Sequence, residues 1–375
     1  MGSKRKIVYI CNYDDHNNNY DLLTQPSGVT KINYILSALK GVGCTVDIIT
    51  TAVSKSSIVI HDNIKETDFG TIRFLTSFGR SSLIRKSLSK LCVYLQVLWI
   101  LLTIKRNSNV LIYHSLPLTN VVKMAQRFNK FRLFIEVEEI FSVLRHKDEA
   151  QVANEVMSVR NAVGYILVND HIKTLCNLRG PSAVCYGNYN SSYPPRRFDS
   201  NDVVNILYAG GLDADAELAI RTVKLLPDRY FLHVLGYGTQ DQMKHVMELC
   251  KSSDRITYHG CLNGREYDDF ISKCQIGLCS RAVETKESLY AFPSKILAYL
   301  SHNLITVSTP LPAVVKSSVV DYIYFSEDYT EEALAQSILK ATAESRVIDN
   351  MSVTLSLDTQ FKDELLKVFY TTELK

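Results

Sequence analysis

The 375-residue chain lacks several patterns that mark common protein classes. Its nine cysteines include no CxxC pair and no Cys/His spacing suited to zinc, so we expect free thiols and no zinc site. The dinucleotide pattern GxGxxG and the Walker pattern GxxxxGK[ST] are both absent, which argues against nicotinamide and P-loop nucleotide binding. Its longest apolar run is shorter than the ~20 residues needed to span a bilayer.

Targeting signals are also missing from the sequence. Residues 1–6 lead directly into an apolar strand, without the hydrophobic region and cleavage site of a signal peptide. Free thiols are typical of a reducing compartment. We therefore expect a cytoplasmic protein, located at the inner face of the cell membrane if part of its surface binds lipid.

Acidic residues are absent from one long segment. The net charge is only +3, but residues 1–190 hold 23 Lys/Arg against 14 Asp/Glu, whereas the remainder holds 19 against 25. From Phe69 to Ile135 there is no Asp or Glu and there are eleven Lys/Arg. A basic half and an acidic half suggest that the two halves have different partners.

What the chain does contain is a repeated alternation of short apolar runs and helical patterns. The runs 6–11, 45–50, 110–113, 132–137 and 165–169 predict buried parallel strands, and the pattern restarts at Asn205 after a polar, proline-containing stretch. This alternation predicts two α/β units. The expected divisions are an N-terminal Rossmann-like domain, a linker, a C-terminal Rossmann-like domain and a final helix, over residues 1–187, 188–203, 204–355 and 356–375.

One helix start is suited to binding an anion. Pro293, Ser294 and Lys295 open a predicted helix, where free backbone N–H groups and a lysine could hold a phosphate. The alternative is that Ser294 only caps the helix and that Lys295 is solvated.

The order of these motifs resembles retaining glycosyltransferases of the GT-B fold, family 4, over nearly the whole chain. In the first half the resemblance is carried by Ser27-Gly28-Val29 before a helix and by the run 43–50. In the second half it is carried by the strand and glycine pair 206–211, by 235–238, and by 292–301. The last segment, FPSKILAYLS, is similar to the FPSKxxEYL segment of bacterial polysaccharide transferases.

The resemblance implies two Rossmann-like α/β/α domains that face each other across a cleft. The final helix, 356–375, would pack back toward this cleft, and the donor diphosphate would lie between Ser27-Gly28 and Ser294-Lys295. The second domain would bind a nucleotide sugar, with a UDP-linked donor favoured, and the first would bind the acceptor. The donor would be a substrate, and neither a cofactor nor a metal would be needed, because helix ends and basic side chains would neutralise the diphosphate. The implied donor-binding residues are Ser27, Gly28, Gly210, Gly211, Gly236, Arg281, Ser294 and Lys295.

The sequence departs from the family at two points. The family often carries two Glu separated by seven residues, and the second position is Ala298 here. The family also commonly has basic residues after the glycine pair, where this chain has Asp213-Ala214-Asp215. We interpret this DxD sequence as an acidic helix start rather than a metal site. These departures keep open a non-catalytic partner or binding subunit with the same fold.

Three residues are candidates for the chemistry. His114 follows the strand 110–113, where the family often places a histidine, although it could equally bond a backbone carbonyl. Glu138 and Glu139 follow the strand 132–137, and with Glu136 they form a cluster that could raise one pKa and supply a base. A solvated strand end is the alternative for these carboxylates.

The basic segment has two interpretations. Its apolar run 91–104 predicts either a buried helix of the first domain or a membrane-facing region in which residues 73–106 contact an anionic membrane surface. Nucleic acid is not expected, because aromatic or zinc-based binding modules are absent.

The sequence therefore predicts a retaining, metal-independent glycosyltransferase, resembling hexosyltransferases. It would transfer a sugar from a nucleotide sugar to a glycan or lipid-linked acceptor in cell-surface polysaccharide assembly. A non-catalytic GT-B subunit is the alternative. A sugar-nucleotide epimerase of the same fold is a third interpretation, and it would form product without an acceptor.

Overall fold

The computed structural model describes residues 5–15, 18, 20–160, 162–190, 193–262, 264–285 and 287–370. The chain divides into two compact α/β units. The first comprises residues 1–188 and 359–375, and the second comprises residues 189–358. Each unit is built on its own sheet of mainly parallel strands.

The first unit contains an eight-stranded sheet in the order β3-β4-β2-β1-β5-β6-β7-β8. Only β3 is antiparallel to its neighbour, and the other pairs are parallel. The strands are β1 Arg5–Cys11, β2 Cys44–Thr50, β3 Asn63–Thr67, β4 Gly70–Phe74, β5 Asn109–Tyr113, β6 Arg132–Val137, β7 Gly164–Leu167 and β8 Ser182–Val184. The helices are α1 Pro26–Gly41, α2 Leu83–Thr103, α3 Leu116–Gln126, α4 Phe141–Leu144, α5 Glu149–Val159 and α6 His171–Leu175.

The second unit contains a six-stranded parallel sheet in the order β12-β11-β10-β13-β14-β15. Its strands are β10 Val204–Gly211, β11 Tyr230–Tyr237, β12 Ile256–Tyr258, β13 Ile276–Cys279, β14 Ile305–Ser308 and β15 Ile323–Phe325. Its helices are α7 Ala214–Lys224, α8 Gln240–Cys250, α9 Gly264–Ile271, α10 Glu287–Tyr290, α11 Ser294–Ser301, α12 Pro312–Val315 and α13 Glu331–Ala341, with a 3₁₀ turn at Val320–Tyr322.

The apolar runs of the sequence became the central strands. In β7 every residue is buried, as it is in β13 and β14. Strands that are covered on both faces require such continuous apolar sequence, which is why the runs were recognisable. At the end of β10 the burial decreases, so that Gly210 is half-buried and Gly211 is exposed.

The described part of the predicted linker contains a short strand. Within residues 188–203 the chain forms a short strand, β9 Arg196–Phe198, which pairs antiparallel with β16 Arg346–Ile348. The partner strand is nearly 150 positions away, so the local polar and proline-rich composition gave no signal for this pairing. The division between the units falls at residues 188 and 189.

The C-terminal helix α14, Met351–Tyr370, contributes its first residues to the second unit and its last residues to the first. Phe361 stacks on Tyr34 with ring centroids 5.7 Å apart, and Phe369 lies 4.5 Å from Phe134. The Glu364 carboxylate accepts a hydrogen bond from the Val184 amide at 2.8 Å. The C-terminal half of α14 therefore packs into the core of the first unit. Residues 371–375, which belong to the expected final segment 356–375, lie outside the described residues.

Helix α2 is longer than the apolar run that predicted it. The run 91–104 suggested a segment too short to cross a bilayer, but the helix begins at Leu83, where Ser82 caps it through the Arg85 amide, and has 21 residues. In the described part of the chain, it is the one helix that is long and apolar enough to cross a membrane by length and composition. Only 22% of its most apolar 18-residue segment is buried in the protein.

Candidate functional site

The strongest cluster of predicted binding residues lies in the second unit, where β10 and β11 end. Gly210 and Gly236 are direct neighbours in the parallel ladder. A Cβ atom on Gly236 would lie 1.8 Å from the Gly210 carbonyl oxygen, and its φ of +153° is accessible mainly to glycine. The two glycines thus let the strand ends approach closely and expose backbone at the edge where ligands of such sheets bind.

Lys295 extends over this glycine edge. Its Nζ lies 4.3 Å from the centre of the Tyr208 ring, and a Cβ atom on Gly210 would be only 2.7 Å from it. The Tyr208 hydroxyl donates a hydrogen bond to the Gly211 carbonyl at 2.7 Å, which holds the ring in place. The structure therefore brings Gly210, Gly211, Gly236 and Lys295 together within one unit.

Helix α11 reaches this edge because of one tyrosine. Tyr299 packs against Gly277 of β13, where even a methyl group would lie 2.1 Å from the ring. Its hydroxyl donates to the Leu278 carbonyl at 3.3 Å and accepts from the Ala209 amide at 3.2 Å. The contacts of Tyr299 thereby hold α11 against β10 and β13, with the first turn of the helix beside the strand ends.

The start of α11 carries no side-chain cap. Pro293 occupies the capping position, and exposed Ser294 is the first helical residue. The alternative in which Ser294 caps the helix does not describe this structure. Uncapped amides at a helix start, together with a lysine on the same turn, form a positive site suited to phosphate oxygens.

Carboxylates also face this site. Asp213 caps α7 by accepting a hydrogen bond from the Asp215 amide at 3.1 Å, so the DxD sequence forms an acidic helix start as interpreted. The Asp215 carboxylate accepts hydrogen bonds from the Ala282 amide at 3.1 Å and the Tyr329 hydroxyl at 3.3 Å. Burial and the charge of Asp213 raise the pKa of Asp215, while Lys295 acts in the opposite direction.

Arg281 belongs to the same electrostatic cluster. Its charge acts on both Asp215 and the buried thiol of Cys279, as does that of Lys295. Arg221, which lies further along α7, instead pairs with Glu331 at 3.3 Å and with Glu217 at 3.9 Å. The positive groups around the glycine edge are therefore Lys295, Arg281 and the start of α11. Sequence reasoning did not assign Asp215 to the site, because its position opposite Lys295 depends on how α7 and α11 pack.

In the first unit, Ser27 and Gly28 lie in the first turn of α1, and Gln25 precedes it without a side-chain capping bond. Lys31, one turn later, pairs with Glu138 at 2.5 Å. Although burial acts to lower it, the neighbouring Glu138 charge leaves the pKa of Lys31 raised. Glu138 is thus placed near the start of α1, but its charge is already matched by Lys31, and Glu139 beside it is half-buried.

Glu136 is the carboxyl group of this cluster with a strongly perturbed pKa. It is fully buried in β6 and accepts a hydrogen bond from the Tyr9 hydroxyl. Burial, followed by repulsion from Glu138, raises its pKa to about 8, although Lys31 opposes the change. The expected mutual effect of the carboxylates is therefore present, but it acts on a side chain that is fully buried.

His114 occupies a closed network. The ring is 1% exposed, its Nδ1 lies 3.1 Å from the Thr119 hydroxyl, and its Nε2 lies 2.7 Å from Glu155. Glu155 also accepts from the amides of Phe141 and Ser142, at 2.8 and 2.6 Å. Because both ring nitrogens have protein partners, this geometry corresponds to the packing alternative rather than to contact with a substrate. Its catalytic role stays a prediction without support from the geometry.

Comparison with known proteins identifies the fold. No family model and no curated protein sequence matches this chain. Solved structures do match it: an α,α-trehalose-6-phosphate synthase from Burkholderia multivorans has a TM-score of 0.66 at 10% identity, over 98% of this chain and 97% of that one. The chain has the GT-B fold.

Two further GT-B structures extend the comparison. Sucrose-phosphate synthase from Thermosynechococcus elongatus has a TM-score of 0.63 at 14% identity, covering 97% of this chain and 95% of that one. Anabaena HepE, solved in complex with UDP, has a TM-score of 0.58 at 13% identity, covering 98% of both chains. These neighbours support the GT-B comparison, whereas the narrower resemblance to family 4 rests on sequence motifs alone.

Metal ligands are not grouped in this GT-B chain as far as it is described. Among those residues, no set of three or more His, Cys, Asp or Glu side chains is arranged to hold a metal ion. None of the nine cysteines, all of which lie within the described residues, is in a disulfide.

Proposed function

We propose that this protein is a glycosyltransferase that binds the diphosphate of a nucleotide sugar at the glycine edge of its second unit. The observation that carries the proposal is the position of Lys295 over Gly210, beside the uncapped start of α11. A phosphate there would gain a full positive charge, free amides and close backbone contact at once. The GT-B neighbours support it, since HepE was solved in complex with UDP and a further structural neighbour, from Escherichia coli, was solved with UDP-2-fluoro glucose.

The finer assignments belong to the same proposal. We infer a UDP-linked donor, transfer with retention, no metal requirement, and a glycan or lipid-linked acceptor in cell-surface polysaccharide assembly. We also infer a cytoplasmic location, because the proposed substrate is a nucleotide sugar and because the cysteines are expected to be thiols. In the reaction, the acceptor oxygen forms a bond to the anomeric carbon, the bond from that carbon to the diphosphate breaks, and the acceptor proton leaves with the diphosphate or with a base. Lys295 and the start of α11 would stabilise the departing charge.

The test starts with ligand binding. A thermal-shift screen of nucleotide sugars and free nucleotides without added metal should show stabilisation by one nucleotide family, because a ligand at 100 times its dissociation constant adds about 2.7 kcal/mol. Incubation of the stabilising donor with candidate acceptors, followed by NMR of the anomeric proton, then reports transfer and retention. Folded protein that responds to no nucleotide contradicts the proposal.

A non-catalytic GT-B subunit is the second candidate. The observation in its favour is that Asp213 and Asp215 place negative charge beside Lys295, where phosphates would have to bind, and that α11 carries Ala298. This alternative predicts weak or absent turnover by the isolated chain and activity that appears only with a partner subunit. Product formation without any acceptor would instead indicate epimerase chemistry.

A further inference from the structure

Helix α2 presents apolar residues on two opposite faces. Ser89, Val93, Val97 and Leu101 are buried against the first unit. The other face carries a stripe of five large apolar side chains that are 47% to 73% exposed. These are Ile84, Leu88, Leu91, Leu95 and Trp99. At 3.6 residues per turn, the centres of the two sets lie nearly half a turn apart.

Further apolar residues are exposed near the start of the helix. The Arg85 guanidinium donates a hydrogen bond to the Ser57 carbonyl at 3.2 Å, and the Arg80 amide donates to the Ser56 carbonyl at 2.9 Å. The loop that contains Ile58 and Val59 is therefore held against the beginning of α2. Ile58, Val59, Phe78 and Leu83 are all exposed there. Isolated exposed apolar residues are ordinary, but five large ones along one face of a helix indicate a binding site.

Positive charge lies near both ends of α2. Arg80, Arg85, Lys86 and Lys90 lie around the first turns of α2, and Lys105 and Arg106 follow its last turn. Within the described residues none of these six side chains forms an ion pair with a carboxylate, and the whole segment from Phe69 to Ile135 contains no Asp or Glu. The charges are therefore free to meet an external anionic surface.

The packing of α2 excludes the orientation across a bilayer that its length and composition would allow. It connects β4 to β5, two strands of the same sheet, and its buried face packs on that unit. The Gln96 side chain donates a hydrogen bond to the Thr76 carbonyl at 2.8 Å, and the Ser89 hydroxyl donates to the Gly79 carbonyl at 2.8 Å. A helix attached in this way along one side can offer only its opposite side to a membrane.

We propose that α2 and the adjoining loop dock the first unit, helix axis parallel to the surface, onto an anionic lipid bilayer. The stripe would enter the boundary between headgroups and acyl chains, while the basic residues at both ends would contact acidic headgroups. A second copy of the chain fits this surface less well. Because both ends of α2 are basic, either direction of pairing places like charges opposite each other. This inference does not depend on the proposed transferase activity.

The chain carries its own probe for the test. Its one tryptophan is Trp99, which is 68% exposed at the C-terminal end of the stripe. Full-length protein mixed with vesicles of phosphatidylcholine and phosphatidylglycerol should co-float with them, and the emission of Trp99 should shift to the blue and be quenched by brominated acyl chains. Phosphatidylcholine alone should bind much less, and added salt should release the protein.

Two sets of variants locate the surface. Replacing Arg85, Lys86 and Lys90 by Glu should weaken binding more than roughly hundredfold, because each basic residue at an anionic surface contributes about fivefold in affinity. The matched control exchanges three exposed lysines of the second unit, Lys224, Lys244 and Lys251, for Glu. Leu91→Ser with Leu95→Ser should also abolish the blue shift, whereas Val203→Ser with Leu225→Ser should not.

Several results would overturn the proposal. They are the absence of flotation by the wild-type chain, binding that is unchanged in the Arg85, Lys86 and Lys90 variant, and Trp99 emission that vesicles do not alter. A lipid-free dimer in which Trp99 is already blue-shifted would assign the stripe to self-association instead. Circular dichroism of each variant establishes that it is folded. Wild-type binding to vesicles with and without phosphatidylglycerol is compared independently of the variants.

Discussion

Lys295 makes a specific contribution to ligand binding under the proposed function. Lys295→Ala removes the full charge beside Gly210, so we expect the affinity for UDP to fall at least roughly tenfold, the usual worth of a charged hydrogen bond. Calorimetric titration of UDP measures the change. Lys316→Ala, which removes an exposed lysine elsewhere in the same unit, is the control. Equal affinities for wild type and Lys295→Ala would remove the diphosphate from this position.

Asp215 should act in the opposite direction. Its carboxylate interacts with Lys295 and would repel a diphosphate, whereas an asparagine can keep an acceptor for the Ala282 amide. Asp215→Asn is therefore expected to tighten UDP binding several-fold in the same titration. A loss of affinity would mean that Asp215 orients Lys295 rather than competing with the ligand.

His114 allows the packing and catalytic interpretations to be separated. His114→Ala removes a hydrogen-bond partner from the buried Glu155 carboxylate and Thr119 hydroxyl, which lowers the free energy of unfolding by about 1–3 kcal/mol. Denaturant unfolding measures this loss, and turnover is compared at a temperature where both proteins are folded. Turnover that falls sharply while stability is unchanged would restore the catalytic role that its sequence position suggested.

Glu136 gives stability a defined pH dependence. Its pKa is about 8 in the folded chain against an ordinary 4.5, so the folded state retains a proton that the unfolded state releases between these values. This stabilisation is complete below pH 4.5 and is lost as pH rises through 8. Urea unfolding from acidic to mildly alkaline pH should show the wild type losing stability relative to Glu136→Gln. Replacing exposed Glu344 by Gln should leave the profile unchanged.

At the level of elements, the contact between α11 and β13 should determine both stability and ligand binding. A methyl group at position 277 would lie 2.1 Å from the Tyr299 ring, so Gly277→Ala must displace the helix that carries Lys295. We expect a loss of about 3 kcal/mol together with weaker UDP binding. Gly41→Ala, where a Cβ has an ordinary 3.7 Å contact, is the matched control. Full UDP affinity in Gly277→Ala would show that α11 does not position the site.

For the whole molecule, the two sheets provide separate hydrophobic frameworks, and Gly210, Lys295 and the start of α11 all belong to the second one. Hydrogen exchange of the intact chain with UDP should therefore show protection at the end of β10 and at the start of α11. The amides of β6 and β7 should show much smaller changes. Protection confined to the first unit would contradict the assignment of the donor to the second.

The sequence by itself determined the α/β class, the order of the central strands along the chain and the segments that carry Gly210, Gly236 and Lys295. Continuous apolar runs and glycine-containing strand ends are local patterns, and parallel sheets buried on both faces require them. The acidic start of α7 was likewise evident, since it depends on neighbouring residues.

Only the tertiary structure decided which side chains meet. The pairing of β9 with β16, the Lys31–Glu138 contact and the approach of Asp215 to Lys295 all join distant positions, for which local composition gives no signal. The same holds for His114, whose strand-end position suggested chemistry but whose ring is closed off by Glu155 of a later helix. The outward face of α2 was settled in the same way, because an apolar helical sequence does not reveal which of its sides the rest of the fold will cover.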